Sequence, residues 1–312
     1  MNISVIIPVF NAEKSILNAV ESALQFEEVY EVILVEDESG DNSLEICRRL
    51  EKKYEKVSVF QHMDGKNHGA GLSRNLGIEF VLGDFIAFLN ADDYYLPSRF
   101  DAEKKLFSNP EVDGVYGATG IHYYSEKAKE QYYPIYGEYL TTIHEKCPPE
   151  FVFPGQMKLG SLFGDFSINA VTIRKDRLLE KMSVFFKPIQ FHGDKEFLLR
   201  LSFYLNLYSG ILNKPIAMQG VYEYDGIDFK IPEKTSDRSK VFLWEELHNW
   251  ANKEDLVPKE MKIHTRRMYK SFKIANAPLL KRWAMVAYYM IVDSPCIRLD
   301  VYNANFINSL GI

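Results

Sequence analysis

Apolar residues fall along the first hundred positions in two alternating rhythms. Short, nearly unbroken runs at 3–10, 32–35, 57–60 and 85–89 alternate with segments in which apolar residues recur every three or four positions. An uninterrupted run predicts a strand covered on both faces, as in a parallel sheet. The intervening segments predict helices: Ile16, Leu17, Val20 and Leu24, then Leu44, Cys47, Leu50 and Tyr54, then Leu72, Leu76 and Phe80 with Arg74 on another face. Asn11 is expected to cap the first helix, and Asp41 or Ser43 the second. Pro8 lacks an N–H, so pairing on one side of the first strand should stop there. Strand and helix in repetition make right-handed βαβ units and a doubly wound parallel sheet. Ligands of such sheets bind beyond the carboxyl ends of the strands. Asn11, Asp37, Ser39, Asp92 and Asp93 should therefore share one rim.

The second half is less regular. Ser98-Arg99-Phe100-Asp101 opens a helix with a capping-box-like pattern. Residues 113–118 and 168–174 read as strands, the latter followed by a basic helix start. The stretch 123–154 is rich in Tyr, Glu and Pro with poor periodicity, and is expected to be an irregular insertion. Its Tyr132, Tyr133 and Tyr136 suit either sugar stacking or core packing. Pro154-Gly155-Gln156-Met157 is expected to be a mobile loop. Phe197, Leu201 and Leu205 make a helical stripe with Asp194 at its N-terminus, the place of an N-cap. From 236 to 310 the pattern is mainly helical, with Val241, Trp244, Leu247 and Trp250 in one stripe. Asn276-Ala277-Pro278 and Asp293-Ser294-Pro295 break it. The apolar run 283–292 is too short to span a bilayer. It reads as a packed core helix, the alternative being a helix lying on a membrane surface beside Lys281 and Arg282.

Composition adds exclusions more than it adds detail. The chain has 312 residues, 46% hydrophobic and 26% charged, enough for one large domain and a smaller one. A formal net charge of −6 argues against general nucleic-acid binding, which needs basic surface. Cys47, Cys147 and Cys296 are scattered and form no CxxC pair, so neither a disulfide framework nor a zinc site is expected. The N-terminus has no basic n-region, which with the reducing cysteine pattern suits a cytoplasmic protein.

Candidate chemistry centres on Phe85-Ile86-Ala87-Phe88-Leu89-Asn90-Ala91-Asp92-Asp93, a strand that ends in two adjacent carboxylates. Such a lip suits a divalent cation shared with substrate phosphates. It equally suits a solvated turn. Neither GxGxxG nor GxxxxGK[ST] is present, which disfavours dinucleotide oxidoreductases and P-loop phosphotransferases.

Four segments together resemble the family 2 glycosyltransferases: Ile6-Ile7-Pro8-Val9-Phe10-Asn11, Val32-Ile33-Leu34-Val35-Glu36-Asp37-Glu38-Ser39, Gly71-Leu72-Ser73-Arg74-Asn75-Leu76-Gly77 and Phe88-Leu89-Asn90-Ala91-Asp92-Asp93. The resemblance implies an α/β chain with the GT-A fold, a Rossmann-like nucleotide-diphospho-sugar transferase fold, over residues 1–225. A mainly α-helical C-terminal extension would follow over 226–312. It implies inverting, metal-dependent transfer from a nucleotide-sugar, a UDP-sugar in the first instance, to a hydroxyl of a glycan or lipid-linked acceptor. Cell-surface polysaccharide synthesis at the inner face of the membrane is the implied setting.

Carried over by position, Pro8, Phe10 and Asp37 would hold the base and Arg74 the nucleotide. Asn90 and Asp92 would hold the ribose and a diphosphate-bound Mn²⁺ or Mg²⁺, with Asp93 as the adjacent metal carboxylate. Asp194 would be the general base. The pattern departs at three positions: Asn90 stands for the usual Asp, Glu38 for a Gly, and Gly193 for a Glu. Asn90 and Gly193 encourage a rival reading as a non-catalytic nucleotide-sugar-binding protein. A sugar-nucleotide pyrophosphorylase would want a Gly-rich basic loop after the first strand, which Asn11-Ala12-Glu13-Lys14 does not provide.

Overall fold

The computed structural model describes residues 1–137, 145–159, 164–189, 192–223 and 233–292. Two compact units divide the chain, Met1–Pro188 with Phe197–Asp225, and Ile189–Glu196 with Gly226–Ile312.

The first unit is built on β1 (Ile3–Val9), α1 (Ile16–Leu24), β2 (Val29–Glu36), α2 (Ser43–Lys53), β3 (Val57–Gln61), α3 (Gly69–Glu79) and β4 (Phe85–Phe88). After these come β5 (Tyr94–Tyr95), α4 (Glu103–Leu106), β6 (Gly114–Tyr116), β7 (Ala118–Tyr123), α5 (Glu126–Tyr136), α6 (Pro149–Gln156), β8 (Val171–Arg174) and α7 (Lys175–Lys181). The unit closes with α8 (Gly193–Tyr204), whose first turn groups with the second unit, and with β9 (Leu207–Ser209) and β10 (Pro215–Val221).

The main sheet has the order β3-β2-β1-β4-β8-β6-β9. Its first four strands are parallel, as the βαβ rhythm predicts, but β8 runs antiparallel to both β4 and β6. Alternate side chains of β1 feed two cores. Ile3, Val5, Ile7 and Val9 meet Ile16, Val20 and Cys47 on one face, while Ile6 meets Ile78 and Phe197 on the other. That two-sided burial is why the strands read as continuous apolar runs. Pro8 acts as expected: β1 pairs with β4 only as far as Ile6, but with β2 as far as Val9. A smaller sheet of order β5-β10-β7 stands after the β4 lip.

Several local expectations are corrected. Asn11 does not cap α1; it adopts a left-handed conformation (φ 49°) and its Oδ1 accepts the Gly40 N–H at 2.8 Å. The buried face of α3 is not Leu72, Leu76 and Phe80 but Ser73, Arg74, Gly77 and Ile78. A Cβ at Gly77 would lie 2.5 Å from Ile6 Cγ2, so the small residue lets the helix approach β1 and turns Arg74 inward. Ser98 to Asp101 form no capping box. Arg99 is buried instead, donating to the carbonyls of Asn169 (3.0 Å) and Val171 (2.9 Å) and pairing with Glu103. The stretch 123–154 contains α5 and the start of α6 rather than an irregular insertion. Pro154, Gly155 and Gln156 end α6 instead of forming a loop.

The second unit contains α9 (Glu233–Lys253), α10 (Lys259–Ala275) and α11 (Leu279–Val292). Leu243, Trp244, Leu247 and Ala251 are buried, and the break before Pro278 is as expected. Pro295 and Cys296 lie outside the described residues. The run 283–292 is not a fully packed core helix, since Trp283 and Tyr288 are exposed. Among the described residues, no helix is long and apolar enough to cross a membrane.

Candidate active site

The carboxyl ends of β1, β2 and β4 form one rim, and its loops are stitched together by side chains. The Asn11 N–H donates to Ser39 Oγ (3.1 Å), Ala12 N–H to Ser43 Oγ (2.8 Å) and Glu13 N–H to Asp41 Oδ2 (3.1 Å). Pro8 is buried beneath this rim, paired opposite Val35, whereas Phe10 projects from it, 52% exposed. An exposed ring at a strand end, with no core to fill, is available to a planar ligand.

Asp37 is buried, and both of its carboxylate oxygens accept backbone donors at the start of α3. Oδ1 takes the His68 N–H at 2.8 Å and Oδ2 the Gly69 N–H at 2.7 Å. These are N–H groups that a helix leaves unpaired at its N-terminus, so a residue of the β2 loop caps a helix 31 and 32 positions away. Glu38 departs from glycine at a price in backbone strain: its φ is +61°, a region that favours glycine. Its Oε2 accepts the Asn67 N–H at 2.8 Å, a contact glycine cannot make. A side-chain bond to the segment before α3 thus helps hold this loop in place.

Arg74 is not a solvated surface residue; it is 1% exposed. Its Nη2 donates to Asn90 Oδ1 at 2.7 Å and its guanidinium lies 5.2 Å from the centre of the Phe186 ring. Asn90 in turn donates from Nδ2 to Asp93 Oδ2 at 2.8 Å. Asn169, just before β8, accepts the Asn90 N–H at 3.0 Å and donates to the same Asp93 oxygen. The other oxygen of Asp93 takes the Gly220 N–H at 2.7 Å. Asp93 therefore ties β4, β8 and β10 together, and its two oxygens are engaged by the protein. Burial and the charge of Asp92 push the Asp93 carboxyl up to about 7, against three N–H donors that favour its ionised form.

Asp92 is the carboxylate of the pair that solvent reaches. Surrounding protein still pushes its carboxyl up, while a hydrogen bond to its own backbone and the positive Arg74 pull it back. Among the described residues, no three His, Cys, Asp or Glu side chains converge as a metal cluster. A single solvent-reached carboxylate nevertheless suits Mg²⁺ or Mn²⁺ held mainly by substrate phosphates and water.

The family model for glycosyl transferase family 2 matches residues 4–166, a span that contains Pro8, Phe10, Asp37, Arg74, Asn90, Asp92 and Asp93. The chain belongs to glycosyltransferase family 2. An uncharacterised glycosyltransferase of Rickettsia conorii is 31% identical over 153 residues, 49% of this chain and 23% of the relative. The poly(ribitol-phosphate) beta-glucosyltransferase of Bacillus spizizenii is 39% identical over 97 residues, 30% of this chain and 15% of the relative. The match thus spans less than a quarter of either relative's length. Among solved structures, S. aureus TarS in complex with UDP-GlcNAc superimposes with a TM-score of 0.58 at 17% identity, over 88% of this chain and 72% of that one. At that identity the likeness bears on the fold, which is GT-A with helices in the C-terminal region.

Within this family 2 chain, the structure brings Pro8, Phe10, Asp37, Arg74, Asn90, Asp92 and Asp93 to one rim of the first unit. Asp194 stands in the first turn of α8, in the stretch that groups with the second unit. His192, immediately before that helix, is left-handed (φ 60°) and hydrogen-bonds to Ser239 at 2.9 Å. Burial and the charges of Lys195 and Lys240 push its imidazole down, towards the neutral form.

Sequence reasoning missed Asn169, Gly220 and an aromatic group beside Asp92. A polar Asn169 inside an apolar strand-like run was the available signal. A Cβ at Gly220 would stand 2.2 Å from the Asp92 carbonyl oxygen and 2.7 Å from Tyr124 Cε2, so only glycine fits there. Tyr124 and Tyr222 stack with centroids 4.1 Å apart, and Tyr94 is hydrogen-bonded to His122 at 3.0 Å. Tyr132, Tyr133 and Tyr136, the aromatic candidates from the sequence, are carried on α5 instead.

Proposed function

We propose that the chain transfers a sugar, with inversion, from a nucleotide-sugar, in the first instance a UDP-sugar, to a hydroxyl of a glycan or lipid-linked acceptor in cell-surface polysaccharide synthesis at the cytoplasmic face of the membrane. The observation that carries this reading is the pairing of a buried cation with a solvent-facing carboxylate at one rim: Arg74, bonded to Asn90, beside Asp92. A nucleoside diphosphate needs a fixed positive charge, and a carboxylate through which a divalent cation can be shared.

In this reading Phe10 lies against the base, and Pro8 and Asp37 shape the slot behind it. Arg74 binds the nucleotide and Asn90 the ribose. Asp92 would hold Mn²⁺ or Mg²⁺; Asp93, engaged on both oxygens, holds the lip in shape. When bound, the cation neutralises charge developing on the departing diphosphate. Asp194 takes the proton from the attacking acceptor hydroxyl. The UDP-GlcNAc complex of TarS supports a UDP-sugar donor, and the glucosyltransferase name of the Bacillus relative supports transfer of a sugar.

The test is incubation with a panel of nucleotide-sugars and Mn²⁺, following release of free nucleotide. Release that depends on Asp92 and Asp194 is the expected result. Release that persists in Asp92→Ala would overturn the metal assignment. Tight nucleotide binding without turnover on any acceptor would favour a non-catalytic binder, the reading that Asn90 and Gly193 encourage.

A further inference from the structure

One buried stripe of α9 carries a hydroxyl among its apolar groups. Ser239, Leu243, Leu247 and Ala251 are all buried at a spacing of four, the separation that stacks successive side chains along a helix. Helical periodicity calls for an apolar side chain at position 239, and a buried hydroxyl needs a hydrogen-bond partner. Ser239 Oγ lies 2.9 Å from Nε2 of His192, 47 residues earlier in the chain.

His192 in turn holds the start of α8. Its carbonyl accepts the Glu196 N–H at 3.0 Å, from a left-handed backbone with φ +60°. A non-glycine residue keeps such a conformation only where its surroundings impose it. Gly193 does not impose it, since a Cβ there would meet nothing within 4 Å among the described residues. Burial and the charges of Lys195 and Lys240 push the His192 imidazole down, so a neutral ring makes the contact with Ser239. Asp194 stands in the turn that this contact anchors. The segment Ile189–Glu196 accordingly groups with the helical extension, although its sequence neighbours on both sides belong to the sheet unit.

We propose that the helical extension is part of the catalytic apparatus: Ser239, through His192, is a positioning residue that fixes the turn bearing Asp194. The inference rests on the transferase reading, in which Asp194 takes the acceptor proton, and it gives α9 a role there. A general base works only within hydrogen-bond reach of the proton it takes, and a misplacement of about 1 Å costs on the order of a hundredfold. Ser239 acts at a distance, by holding His192.

The experiment compares the full chain with Ser239→Ala, with His192→Asn and with the double variant. Asparagine tolerates the left-handed backbone at 192, but its side chain ends short of Ser239. UDP binding, measured by calorimetry with Mn²⁺, should be unchanged in all three. For release of UDP from UDP-glucose or UDP-N-acetylglucosamine, kcat should fall roughly tenfold to a hundredfold while KM stays. The double variant should lose no more than the larger single loss, because both substitutions remove one contact. Hydrogen exchange at the Glu196 amide should quicken in each variant. Undiminished kcat in Ser239→Ala, additive losses in the double variant, or UDP binding that falls as far as kcat overturns the proposal. A parent chain that releases UDP from neither donor overturns the UDP-sugar reading, and this inference with it. An active parent with an equally active Ser239→Ala overturns this inference alone.

Discussion

Arg74 donates from Nη2 to Oδ1 of Asn90 at 2.7 Å, and the neutral amide cannot cancel the charge it receives. The same amide donates from Nδ2 to Asp93. Asn90 thus does two things that the usual aspartate could not do together: it accepts from the cation and donates to the buried carboxylate. The departure from the family pattern is part of a closed network with Asn169 and Gly220.

Asn90→Asp, which restores the family residue, is expected to lower stability. The variant gains an ion pair with Arg74 but faces Asp93 with a second carboxylate where a 2.8 Å donor had been. Because Asp93 is 1% exposed, repulsion and the lost donor should outweigh the pair, by about 1–3 kcal/mol. Urea denaturation without nucleotide measures it; a variant as stable as the parent would refute this account of Asn90.

Asp37→Ala should destabilise the protein as well as weaken nucleotide binding. Two helix N-terminal N–H groups lose their acceptor inside the protein, at a cost of about 2 kcal/mol. Thermal melting of the nucleotide-free protein separates this from a purely ligand-facing role, for which the midpoint would not move. Hydrogen exchange should rise at His68 and Gly69 first.

Gly220→Ala tests the link between β10 and the lip. The added Cβ meets the Asp92 carbonyl oxygen at 2.2 Å, so backbone must shift, for about 1–3 kcal/mol. Nucleotide binding in the presence of Mn²⁺ should fall at least tenfold, while binding without Mn²⁺ should fall less. Equal losses with and without the ion would mean that the shift does not reach Asp92.

Cys47 should be inert in the folded protein. Burial and the nearby charge of Glu36 push its thiol up to about 12. The thiolate is the reactive form, so at pH 8 only about one molecule in ten thousand would carry it. Raising the pH towards 12 increases reactivity, and unfolding brings it to the level of an ordinary thiol. Iodoacetamide labelling with peptide mapping, before and after urea, checks both statements.

How far the site could be read in advance differs from residue to residue. Asp37 and Asp92 were legible because each follows a strand in a βαβ series, and that topology puts strand ends on one rim; Arg74 and Asn90 were indicated by the resemblance to family 2 rather than by the pattern. The uninterrupted apolar runs determined the parallel half of the sheet, and Pro8 determined where one ladder ends. What α3 buries was not legible. Hydrophobic spacing chose Leu72, Leu76 and Phe80, but the close approach permitted by Gly77 against Ile6 selected Ser73, Arg74 and Ile78. The antiparallel β8 and the roles of Asn169 and Gly220 also required the folded chain, since their partners lie 76 and 127 residues away at Asp93. Periodicity reports what each segment buries on its own. Which buried polar groups meet is set by long-range register, and that is why the amino-acid pattern alone determined the rim while only the tertiary structure decided that Asp93 fastens it and Asp92 faces out.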